Sequence, residues 1–273
     1  MNAIFVANKP TGLSSNQFLN RLKRKYGVKK AGFSGTLDPF ASGCLIVAFG
    51  SYTKFFRFLD KTPKIYEATM WIGASSPSGD NENITDVKIL KPFADESLEI
   101  ARKSLLGRLK YIPPKFSAKN INGTRAYKLA RTGEEFSLKE QEMEVFSCEI
   151  LSYRHPFLTF RISLSEGGYV RSYAQLFGKR LGYDVCLSEL KRISEGKFRF
   201  ENEKFLDICE ILNLPRNKYL GDVADIMDGK SLKPSDFTTQ KDGIYLLEYD
   251  KFLSIIEIKN DTISYCLNKV EKC

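Results

Sequence analysis

Residues 32–43 read Gly-Phe-Ser-Gly-Thr-Leu-Asp-Pro-Phe-Ala-Ser-Gly, and the rest of the chain is organised around them. Gly32, Gly35, Gly43 and Pro39 all fall within this stretch. Glycine opens backbone conformations closed to other residues and proline fixes φ, so the stretch is a shaped loop. Asp38 precedes Pro39, which turns its backbone away from the α region toward an extended one. It is also the first acidic residue of the chain, behind Lys9, Arg21, Lys23, Arg24, Lys25, Lys29 and Lys30. A lone carboxylate on a stiff loop behind a basic segment has two readings. It is either a nucleophile or general base facing an anionic partner, or an Asx-type turn residue of the kind common before proline.

Working outward, Ala3-Ile4-Phe5-Val6-Ala7 reads as a short buried strand ending at Lys9-Pro10-Thr11-Gly12. Ser14 or Ser15 can cap a helix whose apolar stripe is Phe18, Leu19, Leu22 and Tyr26, with Gly27 as its stop. The outer face carries Arg21, Lys23, Arg24 and Lys25 and is either solvated surface or a phosphate contact. Cys44–Phe49 is apolar throughout and reads as a central strand, and Tyr52, Phe55, Phe56 and Leu59 as a short helix packed back on it. Residues 64–73 alternate, with Tyr66, Ala68, Met70 and Ile72 on one face, so Tyr66 falls near the rim of a core. Residues 74–86 are a polar loop and residues 96–106 an amphipathic helix.

The middle of the chain changes character. Lys110, Tyr111, Pro113, Pro114, Lys115, Phe116, Lys119, Arg125, Tyr127, Lys128 and Arg131 interleave cations with rings and prolines. Such a segment, about 108–135, fits a clamp for looped or single-stranded RNA, or a Pro-kinked connection to a basic helix. Residues 145–153 and 157–164 read as paired strands about His155-Pro156, 169–181 as a helix, and 185–193 as a strand. Beyond Leu214, short strands separated by glycine and proline predict a small β domain.

Composition removes several kinds of chemistry. The 273 residues carry 42 Lys plus Arg against 33 Asp plus Glu, a net charge of +9 that suits a polyanionic partner. Cys44, Cys148, Cys186, Cys209, Cys266 and Cys273 are scattered with no Cys-x-x-Cys pair, which points to reduced thiols in the cytoplasm rather than to zinc or disulfides. No basic segment followed by a long apolar run marks a signal peptide, and Cys44–Phe49 is far too short to span a membrane. His155 is the single histidine and reads as structural, so His-rich metal clusters are excluded. Neither a dinucleotide nor a P-loop glycine fingerprint is present. Chemistry therefore has to rest on carboxylate, phenol or guanidinium groups.

The loop 32–43 resembles the catalytic loop of pseudouridine synthases, specifically of the TruB family, which modifies uridine 55 in the T arm of tRNA. Further motifs follow in the family's order: Asn8-Lys9-Pro10-Thr11-Gly12-Leu13-Ser14-Ser15, Lys64-Ile65-Tyr66, residues 112–118, and Gly168-Tyr169-Val170-Arg171-Ser172. Together they cover roughly the first 200 residues, far beyond the reach of one short motif. The resemblance implies an α+β fold: a catalytic domain over 1–213 built on a mixed, largely antiparallel sheet flanked by helices, and a small β-rich PUA-like domain over 214–273.

By the same resemblance Asp38 is the nucleophile, attacking carbon 6 of the base or carbon 1′ of the ribose. Arg171 pairs with it and favours its charged form. Tyr66 stacks on the flipped uracil, and its hydroxyl can take or relay the carbon 5 proton. Leu190 packs on the base, Tyr169 forms a wall of the pocket, and Lys9 sits near Asp38 or a phosphate. Phe33 stands where the family usually has His; it can wedge and stack but lacks the imidazole's hydrogen bonds. The reaction breaks the N-glycosidic bond, turns the base and rejoins it through carbon 5, after the nucleotide is flipped from its stack. The resemblance implies no cofactor and no metal, the tRNA T arm as partner, no membrane, a monomer and the cytoplasm. The competing reading is a non-catalytic RNA-binding or tRNA-folding protein on the same scaffold. A branch acting on ribosomal RNA is disfavoured by Lys9-Pro10, by residues 112–118 and by the expected absence of a leading S4-like domain.

Overall fold

In the computed structural model, residues 1–117, 119–121 and 123–272 are described; Ala118, in one of the motifs above, Asn122 and Cys273 lie outside the described residues. The chain opens with strand β1 (Ala3–Lys9), helix α1 (Ser15–Lys25) and strands β2 (Ala31–Ser34) and β3 (Ser42–Phe49). Ser14 is the cap of α1. Its hydroxyl accepts from the Gln17 N–H at 3.2 Å while the Gln17 side chain accepts from the Ser14 N–H at 2.9 Å, satisfying two otherwise orphaned donors. β1 and β3 pair antiparallel from Ala3↔Phe49 to Lys9↔Gly43. Alternate residues of the pair serve two cores: Phe5, Ala7, Leu45 and Val47 pack under Phe18, Leu19 and Leu22 of α1, while Ile4, Val6, Ile46 and Ala48 face the other side. Burial on both faces is why Cys44–Phe49 is apolar without a break.

A 3-10 helix (Gly50–Phe58) folds Tyr52 and Phe55 onto that second side. β4 (Lys64–Ile72) follows, buried at every second residue from Lys64 to Ile72 as its alternation predicts. Next come α2 (Asp95–Lys103), edge strand β5 (Gly107–Tyr111), a small hairpin and α3 (Ala126–Thr132). β6 (Gln141–Arg154), β7 (Phe157–Leu164), α4 (Val170–Leu181), β8 (Val185–Glu195) and β9 (Phe198–Arg199) complete the large body. His155 is structural: Tyr153 Oη lies 2.9 Å from its Nδ1 and the Leu90 carbonyl 2.9 Å from its Nε2.

The strands form one nine-stranded mixed sheet in the order β1-β3-β8-β4-β7-β6-β5, with β2 added to β3 and β9 to β8. All these pairings are antiparallel except β3 with β8, which meet at Ser42↔Lys191 and Gly43↔Arg192. α2 and α4 cover the β4–β7 face, where Leu98, Tyr173 and Phe177 pack with Met70, Leu158 and Phe160. The fold is α+β. One edge of β3 is shared, by β8 at its start and by β2 along Ile46–Phe49, and residues 35–41 leave the sheet between the two.

The C-terminal strands β10 (Gly243–Glu248), β11 (Phe252–Lys259) and β12 (Thr262–Glu271) make a separate antiparallel sheet. Leu246, Leu253, Ile255 and Val270 complete the cluster of Ile4, Val6, Ile46 and Ala48. Among the described residues no helix is long and apolar enough to cross a membrane.

Candidate active site

The loop expected over 32–43 begins later than its composition predicts, because Ala31–Ser34 already pairs with β3. Residues 35–41 are then held from below at three carbonyls. Arg192 Nη2 donates to the Gly35 carbonyl at 2.9 Å, Ser15 Oγ to that of Leu37 at 3.0 Å, and the Gly12 N–H to that of Pro39 at 2.8 Å. The Leu37 N–H donates back to Ser15 Oγ at 3.0 Å. Two glycines are required here. A Cβ on Gly35 (φ +69°) would stand 2.7 Å from Glu195 Oε1, and one on Gly43 (φ +104°) 2.2 Å from the Arg192 carbonyl. Close approach of β8 to the loop thus depends on both positions lacking a side chain.

Asp38 sits at the tip of this loop. Its Oδ2 lies 2.9 Å from Arg171 Nη2. Arg171 stands in the first turn of α4, 2 % exposed, and donates from Nη1 to the Ser78 carbonyl at 2.6 Å and from Nη2 to the Phe116 carbonyl at 2.9 Å. Asp80 Oδ2 lies 3.7 Å from Nη1. The guanidinium is therefore anchored by two backbone carbonyls, so its orientation does not depend on Asp38 alone. Burial raises the Asp38 carboxyl above the ordinary carboxylate range; Arg171 opposes this, Asp80 adds to it, and Lys9 opposes it.

The pair opens into a cleft of about 330 Å³ lined by Asp38, Tyr66, Tyr169, Arg171 and Leu190, with Lys64, Lys119 and Arg192 around them. That volume suits one small planar group. Tyr66 and Arg192 are cross-strand partners of β4 and β8, so both side chains leave the same face of the sheet. Burial raises the Tyr66 phenol, against the pull of the Arg192 charge, so it enters any reaction protonated. Tyr169 immediately precedes α4, with its phenol also raised, chiefly by burial. Five of the seven expected site residues are thus together.

The other two are elsewhere. Lys9 does not line the cleft: it is fully buried beneath the loop, where Nζ donates to the carbonyls of Leu13 at 2.6 Å, Pro10 at 2.9 Å and Pro39 at 3.4 Å. Burial lowers its pKa to about 8, with Asp38 acting in the opposite sense. Its place near Asp38 is as expected, but it props the loop and has no access to a phosphate. Phe33 projects from β2 against the cluster of α1 and is half-buried there, outside the cleft lining. A strand position fixes which face a side chain takes, and reading Phe33 as part of a loop hid that face.

Sequence reasoning missed a buried charge group behind the loop. Arg192 donates from Nε to the Cys44 carbonyl at 2.8 Å, and its Nη2 lies 3.3 Å from Glu195 Oε2. Lys64 Nζ lies 3.4 Å from Glu195 Oε1, and neither carboxylate oxygen has a hydrogen bond. A signal was present: Arg192 lies two residues after Leu190 on the same face of a strand, and an inward Arg is rare without a polar task. Asp80, in a serine-rich loop, carried no such signal. Among the described residues no group of three or more His, Cys, Asp or Glu is placed to hold a metal.

The model of the TruB family pseudouridylate synthase N-terminal domain matches residues 23–170. A tRNA pseudouridine synthase B of Campylobacter concisus is 70 % identical over 273 residues, covering both chains completely. The chain belongs to the TruB family of pseudouridine synthases. A tRNA pseudouridine synthase B of Campylobacter jejuni is 53 % identical over the same complete span. One chain in the crystal structure of a Cbf5-Nop10-Gar1 complex superposes with a TM-score of 0.68 at 19 % identity, covering 99 % of this chain and 84 % of that one. That likeness concerns the fold alone.

Proposed function

We propose that the chain is a tRNA pseudouridine synthase that isomerises uridine 55 of the T arm, with Asp38 as the attacking carboxylate. The observation that carries the reading is the 2.9 Å pairing of Asp38 with Arg171 at the floor of a cleft walled by Tyr66, Tyr169 and Leu190. RNA binding alone needs neither a half-buried carboxylate in a cleft nor a guanidinium tied to two carbonyls. The flipped uracil stacks on Tyr66 against Leu190. An Asp38 oxygen bonds to ribose carbon 1′ as the bond to N1 breaks, or to base carbon 6 ahead of that break. The base turns and carbon 5 bonds to carbon 1′. The Asp38 ester bond breaks, at carbon 1′ as the new bond forms or at carbon 6 once the base has rejoined, which returns the free carboxylate. The carbon 5 proton leaves while N1 ends protonated. Tyr66 holds its phenolic proton at neutral pH, which fits it to relay a proton rather than to begin as a base.

The segment about 108–135 takes the role of RNA clamp, since Lys119 reaches the cleft lining and the Phe116 carbonyl holds Arg171. Residues 214–273 take the role of a PUA-like RNA-facing domain, and residues 1–213 that of the catalytic domain. The protein acts as a cytoplasmic monomer needing neither metal nor cofactor. The test is release of tritium from carbon 5 of uridine in tRNA. Asp38→Asn should reduce it by about 10⁴-fold or more while tRNA affinity stays within a few-fold. Full activity in that variant would remove the nucleophile assignment.

A further inference from the structure

α1 carries a second concave surface. Gln17, Asn20, Arg21 and Arg24 lie at i, i+3, i+4 and i+7, which sets them on one exposed helix face. With Lys23, Lys29, Leu13 and Val28 they line a groove of about 760 Å³ that shares no residue with the Asp38 cleft. Lys25, next along the helix, pairs with Glu203 at 2.6 Å. Arg21, Lys23, Arg24 and Lys29 have no carboxylate partner among the described residues. Four like charges around one hollow repel each other, and an anionic occupant relieves that repulsion.

The groove is held in register with the catalytic loop, because Ser15 at the start of α1 exchanges two hydrogen bonds with Leu37. Arg21 and Arg24 stand about 4.5 Å apart along the helix axis. Guanidinium groups suit phosphate oxygens, and the Asn20 amide can both donate to and accept from a ribose hydroxyl. We propose that this groove grips the sugar–phosphate backbone of the tRNA outside the nucleotide cleft, so that α1 sets the strand in register with Asp38. The proposal rests on tRNA being the substrate.

The experiment measures the dissociation constant of the full chain for an unmodified tRNA transcript over a range of salt concentrations. Removing three charges with Arg21→Gln, Arg24→Gln and Lys29→Gln should lower the magnitude of the log–log salt slope by about 2 to 3. At about 50 mM salt the affinity should fall about ten- to a hundred-fold. The charge-preserving Arg21→Lys, Arg24→Lys variant should keep the wild-type slope. A wild-type slope and affinity in the glutamine variant overturns the proposal, as does an equal loss in the lysine variant with a lowered melting temperature. Because the readout is binding, wild-type protein that bound tRNA without isomerising it would remove the catalytic reading and leave the groove standing.

Discussion

As the proposed nucleophile Asp38 has to be ionised, yet its burial strengthens its hold on the proton. Burial raises its pKa above the ordinary carboxylate value and Arg171 only partly offsets this. The acid limb of kcat/KM should therefore lie above the ordinary range for an aspartate, and Arg171→Met, which removes the opposing charge, should move it further up. A pH–rate profile of tritium release on both proteins reads this directly; an acid limb unmoved by Arg171→Met would count against the pairing. The same shift bears on stability. A carboxyl whose folded pKa is raised stabilises the fold below its unfolded pKa, and that contribution is lost as pH rises through the folded pKa. Asp38→Asn should thus melt no lower than wild type at pH 7, since Arg171 keeps the Ser78 and Phe116 carbonyls and Asp80. Lys9 separates two roles. As a prop under Pro39 it predicts that Lys9→Met lowers kcat while the salt slope of tRNA binding stays at the wild-type value; a slope reduced by about one would mark a phosphate contact instead. That Asp38, Tyr66 and Arg171 would meet was implied by the family motifs, and the structure brings them to one cleft; the nearness of Lys9 to Asp38 was implied too, but not its burial under the loop, nor the face that Phe33 takes.

At the level of elements, the catalytic loop exists because β3 changes partner along one edge, from β8 to β2. Arg192 bridges that parting by holding the Gly35 and Cys44 carbonyls, with Glu195 and Lys64 supplying the balance of charge. A buried pair broken on one side leaves an uncompensated charge, at about 3–5 kcal/mol. Arg192→Met should approach that loss in urea unfolding. Adding Glu195→Gln should recover part of it, because the carboxylate's charge is then gone; strict additivity of the two changes would show that the pair is not coupled. Alternation made β4 readable, a cap and an apolar stripe α1, and an unbroken apolar run β3. The β2 pairing was not readable, because Ala31–Ser34 is short and its partner lies on another strand.

At the scale of the molecule, the C-terminal sheet is more than an appended module. Leu246, Leu253, Ile255 and Val270 cover Ile4, Val6, Ile46 and Ala48, the outer side of the same strands that carry the catalytic loop. Ending the chain at residue 213 would bare that apolar face to water. Such a truncated protein should aggregate or melt well below the full chain, whereas the full chain should unfold in one transition by calorimetry. Two resolved transitions would mean that the shared cluster contributes little. The charge acts at this scale too: a net +9 favours the approach of a polyanion such as tRNA.

The amino-acid sequence by itself determined the family, the α+β class and the order of most elements. The elements follow from local spacing, capping and periodicity, which act over a few residues and leave a written trace, and the family from motifs that resemble those of TruB. Tertiary structure alone decided that Lys9 lies under the loop and Phe33 outside the cleft, that Arg192 and Glu195 stand behind Asp38, and that the C-terminal sheet closes the core. The physical reason is that side-chain direction and buried charge pairing are set by which strands meet. That choice joins residues more than a hundred positions apart, as Arg192 and Gly35 are joined.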